Sequence, residues 1–337
     1  MLPDVHSLEV IFGDRLEKNV NLGRYTSARV GGQADYYLSV NSAEELADTV
    51  SKLWALRAPF VLLGGGSNIL VSDFGVREVV IHNQAHQIRF DLISEPPTVW
   101  AESGANFGVI ARQAAENDLA GLEWASGIPG TVGGAVVGNA GAYGSDVASN
   151  LLVAEILHCN QHITNQLSIL DQKGASTDLE IMREEWPIER FEYGYRSSII
   201  KRKLSMGQDD LIPPGQSRII ILAAQFHLER SKPDLIKEKM DKYLSDRRRT
   251  QPSGSSMGSM FKNPPGDHAG RLIEAAGLKG TRIGDVEINL KHANFFTNQG
   301  NATATDIYAL LQLARQTVAE KFGVNLELEI GLIGEWR

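Results

Sequence analysis

Glycine is concentrated in one stretch of this sequence, and that stretch restricts the fold more than any other feature. Residues 127–144 carry no charged side chain, and seven of these eighteen positions are glycine: Gly127, Gly130, Gly133, Gly134, Gly138, Gly141 and Gly144. Because glycine has no side chain, the backbone here can approach a flat ligand or a neighbouring segment closely. The pattern predicts ligand-binding loops; the alternative is a tightly packed hairpin corner.

An earlier glycine cluster directly follows an apolar run, Phe60-Val61-Leu62-Leu63, that predicts a short buried strand. The cluster consists of Gly64, Gly65, Gly66, Ser67 and Asn68. Successive glycines let backbone N–H groups turn toward one point and form a concave anion site, and the serine and asparagine would add side-chain partners. The cluster therefore predicts phosphate binding; the alternative is an ordinary turn between a strand and a loop.

Neither common nucleotide-binding fingerprint is present. The sequence has no G-x-G-x-x-G segment, and no glycine loop continues into Gly-Lys-Ser or Gly-Lys-Thr. A Rossmann dehydrogenase and a P-loop NTPase are both disfavoured for this reason. If the chain binds a dinucleotide, a different scaffold must hold it.

Charge and cysteine content narrow the function classes. The chain has 337 residues and a formal net charge of -8, which argues against a general affinity for the nucleic-acid backbone. Its single cysteine, Cys159, excludes an internal disulfide, and its few neighbouring histidines do not predict a metal site. Polar residues near the N-terminus interrupt any signal-peptide core, and no segment is long enough to span a bilayer. We therefore expect a cytoplasmic protein without a membrane partner.

The length predicts more than one domain, and the patterning divides the chain into three segments. We expect a first segment at residues 1–90, a second at 91–228 and a third at 229–328. Residues 329–337 are a candidate return to the second segment.

Local signals predict several elements within these segments. Capping patterns predict helices that begin after Ser42, Asn106 and Thr303. Pro233 opens a further helix to about residue 249, whose last residues, Arg247-Arg248-Arg249, are expected to be a solvated end; contact with a phosphate is the less favoured alternative. Alternation predicts a strand at residues 326–330, and the polar run at residues 201–216 predicts an exposed loop.

A polar loop in the third segment is a further candidate for chemistry. Ser259 is followed closely by Lys262 and Asn263. No G-x-S-x-G elbow surrounds the serine, so a hydrolase nucleophile is not predicted. Taken alone, Arg196 and Glu329 are expected to be structural residues.

Six motifs in combination change that expectation. In order along the chain they are residues 64–68 (GGGSN), 128–134 (IPGTVGG), 139–144 (NAGAYG), 195–198 (YRSS), 258–264 (GSMFKNP) and 326–329 (LELE). The series closely resembles the UDP-N-acetylenolpyruvoylglucosamine reductases, also called UDP-N-acetylmuramate dehydrogenases, and covers the chain from about Asn21 to Trp336. It is most similar to the shorter subtype, which lacks an extra tyrosine-bearing loop. The polar run at 201–216 and Met260 depart from the family pattern.

The resemblance implies an α+β fold with two domains. One is a two-part FAD-binding domain of the vanillyl-alcohol-oxidase (PCMH) type, built from the first two segments, and the other is a smaller α+β substrate-binding domain. FAD is expected to be noncovalent, because no histidine and no cysteine falls within the glycine clusters. The residues expected to contact FAD are Gly64, Gly65, Gly66, Ser67, Asn68, Gly130, Thr131, Gly133, Gly134, Asn139, Gly141, Ala142 and Tyr143.

The resemblance also implies a reaction. NADPH would reduce FAD, and reduced FAD would pass hydride to C3 of UDP-N-acetylglucosamine enolpyruvate, forming UDP-N-acetylmuramate for peptidoglycan synthesis and hence for cell shape and division. Arg196 would stabilise the developing charge with Glu329, which is expected to be protonated or firmly paired. Ser259 would donate a proton to C2, and Lys262 and Asn263 would bind substrate with Arg196. A monomer is expected.

Two other functions stay open at this stage. A flavin oxidase on the same scaffold would be reduced by an alcohol and would not respond to NADPH. A noncatalytic sugar-nucleotide binder would bind UDP-sugars without flavin. The motif at residues 258–264 argues against the first, and the intact glycine loops argue against the second.

Overall fold

The structure is a computed structural model that describes residues 5–161, 179–204 and 218–336. Its α-helices are α1 (Val5–Phe12), α2 (Ala43–Ala55), α3 (Phe107–Glu116), α4 (Val132–Gly138), α5 (Ile199–Leu204), α6 (Pro233–Thr250), α7 (Ala269–Ala275) and α8 (Ala304–Phe322). Short turns of 3-10 helix lie at Gly13–Arg15, Leu22–Tyr25, Glu123–Ala125, Val147–Ser149 and Ile188–Phe191.

The strands of the first and second segments are β1 (Glu17–Asn21), β2 (Gln33–Val40), β3 (Phe60–Leu63), β4 (Ile69–Val71), β5 (Val76–Asn83), β6 (Ile88–Asp91), β7 (Thr98–Glu102), β8 (Leu119–Ala120), β9 (Gly141–Ala142), β10 (Ser145–Asp146), β11 (Leu151–Gln161), β12 (Leu179–Pro187) and β13 (Ile219–His227). Those that follow are β14 (Glu229–Arg230), β15 (Arg282–Ile283), β16 (Val286–Ile288), β17 (Phe296–Asn298) and β18 (Gly331–Ile333).

The first segment forms a sheet in the order β1-β2-β5-β3, in which β2 and β3 run parallel to β5. Helix α2 covers one face, and Leu46, Val50 and Leu53 of this helix are fully buried. Its start follows the predicted cap, because the Ser42 hydroxyl accepts a hydrogen bond from the Glu45 amide at 3.1 Å. Strand β3 is at the edge of this sheet, and the loop that follows it carries the first glycine cluster.

The second segment forms an antiparallel sheet in the order β12-β11-β13-β7-β6. Helices α3 and α4 pack on one face of it in a shared core with Val99, Ile156 and Phe226. The other face contributes Cys159 and Leu222 to the core beneath α2, so the two sheets are joined through that helix. Cys159 is a buried free thiol, as predicted.

The third segment packs α7 and α8 against the sheet β15-β16-β17. The predicted capping box is confirmed: the Thr303 hydroxyl accepts from the Asp306 amide, and the Asp306 carboxylate accepts from the Thr303 amide, both at 3.0 Å. Helix α8 ends at Gly323, which adopts a left-handed conformation with φ +67°.

Helix α6 contacts the second segment, although the sequence placed its start at the beginning of the third. It packs on α3 and on the turn at Glu123–Ala125, and Tyr243 joins the second-segment core. The strand before it, β14, pairs with β8. These contacts place α6 against the second segment.

Three local expectations differ from the structure. Residues 326–330 do not form a regular strand: Leu328 makes an isolated bridge with Phe261, and the chain then changes partner at Gly331 to pair with β4. For this reason the C-terminal strand returns to the first segment and not to the second. The expected loop at 201–216 begins inside α5, where buried Ile200 anchors the helix, and its remainder from 205 lies outside the described residues.

Candidate active site

The first glycine cluster is a loop in which added side chains would collide with neighbours. Gly66 has φ +58°, and a Cβ there would lie 1.9 Å from the Tyr25 carbonyl oxygen. A Cβ on Gly64 would lie 2.7 Å from the Thr131 hydroxyl oxygen. The contact at Gly66 requires glycine, because even a methyl group would displace the Tyr25 backbone, and a methyl group on Gly64 would displace the Thr131 side chain.

The second glycine cluster faces the first. A Cβ on Gly65 would lie 3.3 Å from the Gly130 α-carbon, and a Cβ on Gly130, with φ +119°, would lie 2.8 Å from the Ser67 hydroxyl oxygen. Ser67 donates a hydrogen bond to the Pro129 carbonyl at 3.3 Å. Two clusters that are more than 60 positions apart in the sequence therefore form one backbone surface.

Helix α4 rises from this surface. Thr131 is its N-cap, and the Gly133 amide donates to the Ser103 carbonyl at 2.8 Å, which fixes the first turn against the second sheet. Gly134 follows without a close neighbour other than Thr131, whose hydroxyl oxygen is 3.8 Å from its Cβ position. The predicted flavin contacts Thr131, Gly133 and Gly134 thus surround one helix start.

The third glycine cluster turns around Asn139, which ends α4 in a left-handed conformation with φ 45°. Its side-chain oxygen accepts from the Ala148 amide at 3.0 Å, and its nitrogen donates to the Asp146 carboxylate at 3.0 Å and to the Gly194 carbonyl at 3.1 Å. Gly141 and Ala142 follow as strand β9. The Asn139 side chain is fully engaged, and its backbone N–H donates to the Ala135 carbonyl, so this residue fixes the shape of the turn.

Tyr143 points toward helix α6. Its hydroxyl donates to the Tyr243 carbonyl at 2.8 Å, and the two rings stack with centroids 4.2 Å apart. This side chain, predicted to contact FAD, is therefore engaged with the protein through its hydroxyl and through one ring face.

Arg196 and Glu329 form an ion pair at the edge of the third glycine cluster. Nε of Arg196 donates to Oε1 of Glu329 at 2.8 Å, and Nη2 donates to the Gly141 carbonyl at 2.6 Å. Nη1 lies 3.4 Å from the Asn139 carbonyl, the longest of the three contacts. The side chains are 23% and 18% exposed, so the pair is accessible at one side. Glu329 is firmly paired, one of the two states expected from the sequence.

Asn68 links the first glycine cluster to this ion pair. Its side-chain nitrogen donates to the Glu329 carbonyl at 3.1 Å, and its own carbonyl accepts from the Gly331 amide at 3.0 Å. The position of the Glu329 backbone therefore depends on the loop that was predicted to bind phosphate.

Ser259 lies beside the same backbone. The next residue, Met260, donates its amide to the Asn294 carbonyl and accepts from the Glu329 amide, both at 2.9 Å. Ser259 itself bridges to Phe295 and is half-buried. Within the described ranges its hydroxyl has no hydrogen-bond partner, so it is free to turn toward a ligand.

Lys262 and Asn263 continue this loop, but their side chains have protein partners. Nζ of Lys262 contacts the Glu327 carboxylate at 3.1 Å, and that carboxylate is 76% exposed. The Asn263 side-chain oxygen accepts from the Ala269 amide at 3.1 Å, which fixes the start of α7. Lys262 can exchange its exposed partner for a substrate more readily than Asn263 can.

Lys201 lies close enough to the polar group around Arg196 to interact with its charges, a position that the sequence did not predict. Burial lowers the pKa of Lys201, the positive charges of Lys262 and Arg196 act in the same direction, and Glu329 opposes them. The Lys201 amide donates to the Ser198 hydroxyl at 3.1 Å, and this hydrogen bond lies in the first turn of α5, shortly after Arg196 in the sequence. Ser198, three residues before Lys201, is a residue type that often caps a helix start and could have indicated α5. The polar residues after Lys201 favoured a loop instead.

Arg247 is closer to the glycine loops than the sequence suggested. Its δ-carbon lies 3.5 Å from the Cβ position of Gly127. Nη1 donates to Gln251 at 3.1 Å, whereas Nε is buried without a hydrogen-bond partner among the described residues. A buried unpaired donor is rare and calls for a ligand or water.

Comparisons with known proteins agree with these features. Residues 34–164 match the model of an FAD-binding domain family, and residues 250–333 match the UDP-N-acetylenolpyruvoylglucosamine reductase C-terminal domain. The UDP-N-acetylenolpyruvoylglucosamine reductase of Chloroflexus aggregans is 42% identical over 94% of this chain and 97% of its own, and that of Rubrobacter xylanophilus is 40% identical over 93% and 94%. The crystal structure of the Thermus caldophilus reductase covers 95% of this chain and 99% of its own, with 33% identity and a TM-score of 0.71.

The fold and the site define an FAD-dependent oxidoreductase with a PCMH-like FAD-binding domain and mixed helices and sheets. Within that class, the chain belongs to the UDP-N-acetylenolpyruvoylglucosamine reductase family. The expected family and fold class are thereby confirmed.

The residues present fit FAD. The glycine loops make a close backbone surface from which side chains are excluded, and such surfaces suit flat ligands and phosphates. Nε of Arg247 offers an unpaired cationic donor beside Gly127.

No described group of three or more His, Cys, Asp or Glu side chains is arranged to hold a metal ion. No helix in the described ranges combines the length and apolar character needed to cross a membrane.

Proposed function

We propose that this chain catalyses the NADPH-dependent reduction of UDP-N-acetylglucosamine enolpyruvate to UDP-N-acetylmuramate, a step of peptidoglycan synthesis. The observation that carries the proposal is the Arg196–Glu329 ion pair, which is bound to the glycine loops through Asn68 and Gly141 and lies beside the Ser259 loop. FAD, held by the glycine loops, would supply the two-electron chemistry that links oxidation of NADPH to reduction of the enolpyruvyl group at C3.

Arg196 orients and stabilises the substrate carboxylate. Hydride addition at C3 builds negative charge on C2 and on that carboxylate, and a guanidinium group is permanently charged and forks onto two oxygens. Nη1 of Arg196 has the weakest protein contact, so it is the N–H group best able to turn to a substrate.

Glu329 holds the guanidinium in place. A free carboxylate would repel the developing charge, but this one is paired at 2.8 Å and its backbone is fixed by Asn68 and Met260. The arrangement directs the positive charge of Arg196 without bringing an uncompensated negative charge to the substrate.

Ser259 donates the proton that completes the reduction at C2. Its hydroxyl has no hydrogen-bond partner in the described part of the chain and is half-buried next to the backbone that holds Glu329. A hydroxyl is a weak acid, but a carbanion-like C2 is a strong base, which makes the transfer feasible. Lys262 and Asn263 position the substrate on this loop.

An anaerobic absorbance experiment on the purified holoprotein tests the proposal. We expect a yellow protein that NADPH bleaches and that UDP-N-acetylglucosamine enolpyruvate recolours. Failure of NADPH to bleach bound flavin would reject the proposal in favour of an oxidase, and a protein that stays colourless after FAD is supplied would reject flavin chemistry. We further propose noncovalent FAD, a monomer and a cytoplasmic location.

A further inference from the structure

A further cleft lies between the first and third segments. It is formed by the loop at residues 21–31, by Asp73, and by residues 254–255 and 302–303, and has a volume of about 1020 Å³. None of the residues assigned to flavin or to the enolpyruvyl group lines it. Its volume is at the upper end of the range for small-molecule sites.

Two arginines give this cleft a positive charge. Arg24 and Arg29 both line it and both are exposed. Among the residues that the structure describes, neither guanidinium has a hydrogen-bond or ion-pair partner. A chain with a net charge of -8 thus places two unpaired cations at one opening.

The acidic side chain in the cleft, Asp73, is hydrogen-bonded to helix α8 and not to the arginines. The Asp73 carboxylate accepts from the Ala304 amide at 2.9 Å, from the Thr305 amide at 2.8 Å and from the Thr305 hydroxyl at 2.7 Å. It therefore serves the start of helix α8, where negative charge is favourable.

The loop that presents the arginines is fixed at several points. The Thr26 hydroxyl donates to the Val30 carbonyl at 2.8 Å, the Ser27 amide donates to the Gly66 carbonyl at 2.9 Å, and Asn298 donates to the Ala28 carbonyl at 3.0 Å. Arg29 itself has φ +56°, a conformation that is uncommon for residues other than glycine. Such strain persists only where the surroundings enforce it, and it concentrates at functional positions.

We propose that this cleft binds a phosphate group of a nucleotide through Arg24 and Arg29. Guanidinium groups recognise phosphate by paired N–H donors, and the hydroxyls of Ser27 and Ser255 line the same space. The proposed function supplies two phosphorylated sources, the 2′-phosphate of NADPH and the diphosphate of the UDP-sugar. The identity of the ligand rests on the proposed function, whereas the phosphate site itself does not.

Calorimetric titration of the holoprotein at low salt tests the site, with 2′,5′-ADP and UDP as separate probes. We expect the Arg24→Gln/Arg29→Gln double variant to bind one probe at least about 10-fold more weakly, an effect of the size that a charged hydrogen bond produces. Arg112→Gln, which removes an exposed arginine from α3, should leave both affinities unchanged. The probe whose affinity falls in the double variant identifies the source of the phosphate.

Flavin content of the double variant is measured in parallel. Loss of FAD would support the site and assign it to the flavin's own phosphates. Affinities within twofold of the parent for both probes, with full flavin content, would overturn the proposal. If the double variant melts early, the single Arg24→Gln and Arg29→Gln variants decide by the same criteria. Binding requires no turnover, so a negative result here is distinct from failure of NADPH to bleach the flavin.

Discussion

The glycine loops and the polar group around Arg196 contact each other but are built differently. In the loops, an added carbon atom on Gly66 would lie 1.9 Å from the backbone oxygen of Tyr25, and one on Gly64 would lie 2.7 Å from the Thr131 hydroxyl oxygen. In the polar group, Arg196 and Glu329 are 133 positions apart and meet through side chains. A defect in the loops should therefore affect folding and cofactor retention, whereas a defect in the polar group should affect rates.

The largest effect is expected for Ser259→Ala. Loss of a general acid should slow reoxidation of the flavin by the enolpyruvyl substrate by roughly 100- to 10,000-fold, while reduction by NADPH stays near the parent rate. Stopped-flow absorbance measures both half-reactions. Ser256→Ala, in the same loop, is the matched control. Equal slowing of both half-reactions would remove Ser259 from the role of proton donor.

Gly66→Ala tests the steric side of the comparison. The left-handed conformation and the overlap with the Tyr25 carbonyl should lower the free energy of unfolding by roughly 3 kcal/mol or more and release FAD. Gly138→Ala is the control, because nothing lies within 4 Å of its Cβ position and it belongs to α4. Denaturant unfolding and bound flavin per chain are the measurements. Normal flavin content in Gly66→Ala would mean that the loop relaxes freely.

Arg196→Lys tests the chemical side. Lysine keeps the charge but cannot contact Glu329, Gly141 and a substrate carboxylate together. We expect kcat/KM for the enolpyruvyl substrate to fall about 10- to 100-fold, with the melting temperature little changed, by analogy with charged hydrogen bonds of about 1.5–3 kcal/mol. Arg202→Lys removes an exposed pair six residues away and should have no such effect. A large drop in stability would show that the pair is mainly structural.

The smallest effect concerns the loop that joins Asn263 to α7. Arg271 and the His268 amide lower the pKa of Asp267 to about 2. This pKa is below the unfolded value of 3.8. The Asp267–Arg271 pair therefore stabilises the fold above pH 4, and this stabilisation is lost as the pH falls through 2. The difference in melting temperature between the parent and Asp267→Asn should shrink from pH 4 to pH 2. A difference that is constant over this range would contradict the assignment.

Features encoded locally were predictable from the sequence. The caps at Ser42, Asn106 and Thr303 depend on residues within one helical turn, and all three are present. The positive φ angles of Gly66 (+58°) and Gly130 (+119°) are also a local requirement for glycine, whereas the close contacts of the glycine loops with distant residues are not. The ion pair between Arg196 and Glu329 was predictable only through family resemblance, since neither residue alone carries a signal.

Features that depend on distant packing were not predictable. Lys201 appeared to belong to a polar loop, but Ile200 beside it is buried and draws α5 into the second core. Residues 326–330 alternate like a strand, yet the chain changes partner at Gly331, whose amide donates to the Asn68 carbonyl. Helix α6 has a charged surface with few buried residues, so its sequence did not indicate which segment it packs against.

Strand β18, near the C-terminus, pairs with β4, near the N-terminus, and this pairing affects what can form while the chain is being translated. Asn68 and Glu329 are separated by 261 positions. The first glycine loop therefore leaves the ribosome long before the residues that anchor its far side. The ion pair can form only after nearly all described residues have been translated, so a nascent chain cannot perform the reaction early, even if FAD is present while it grows.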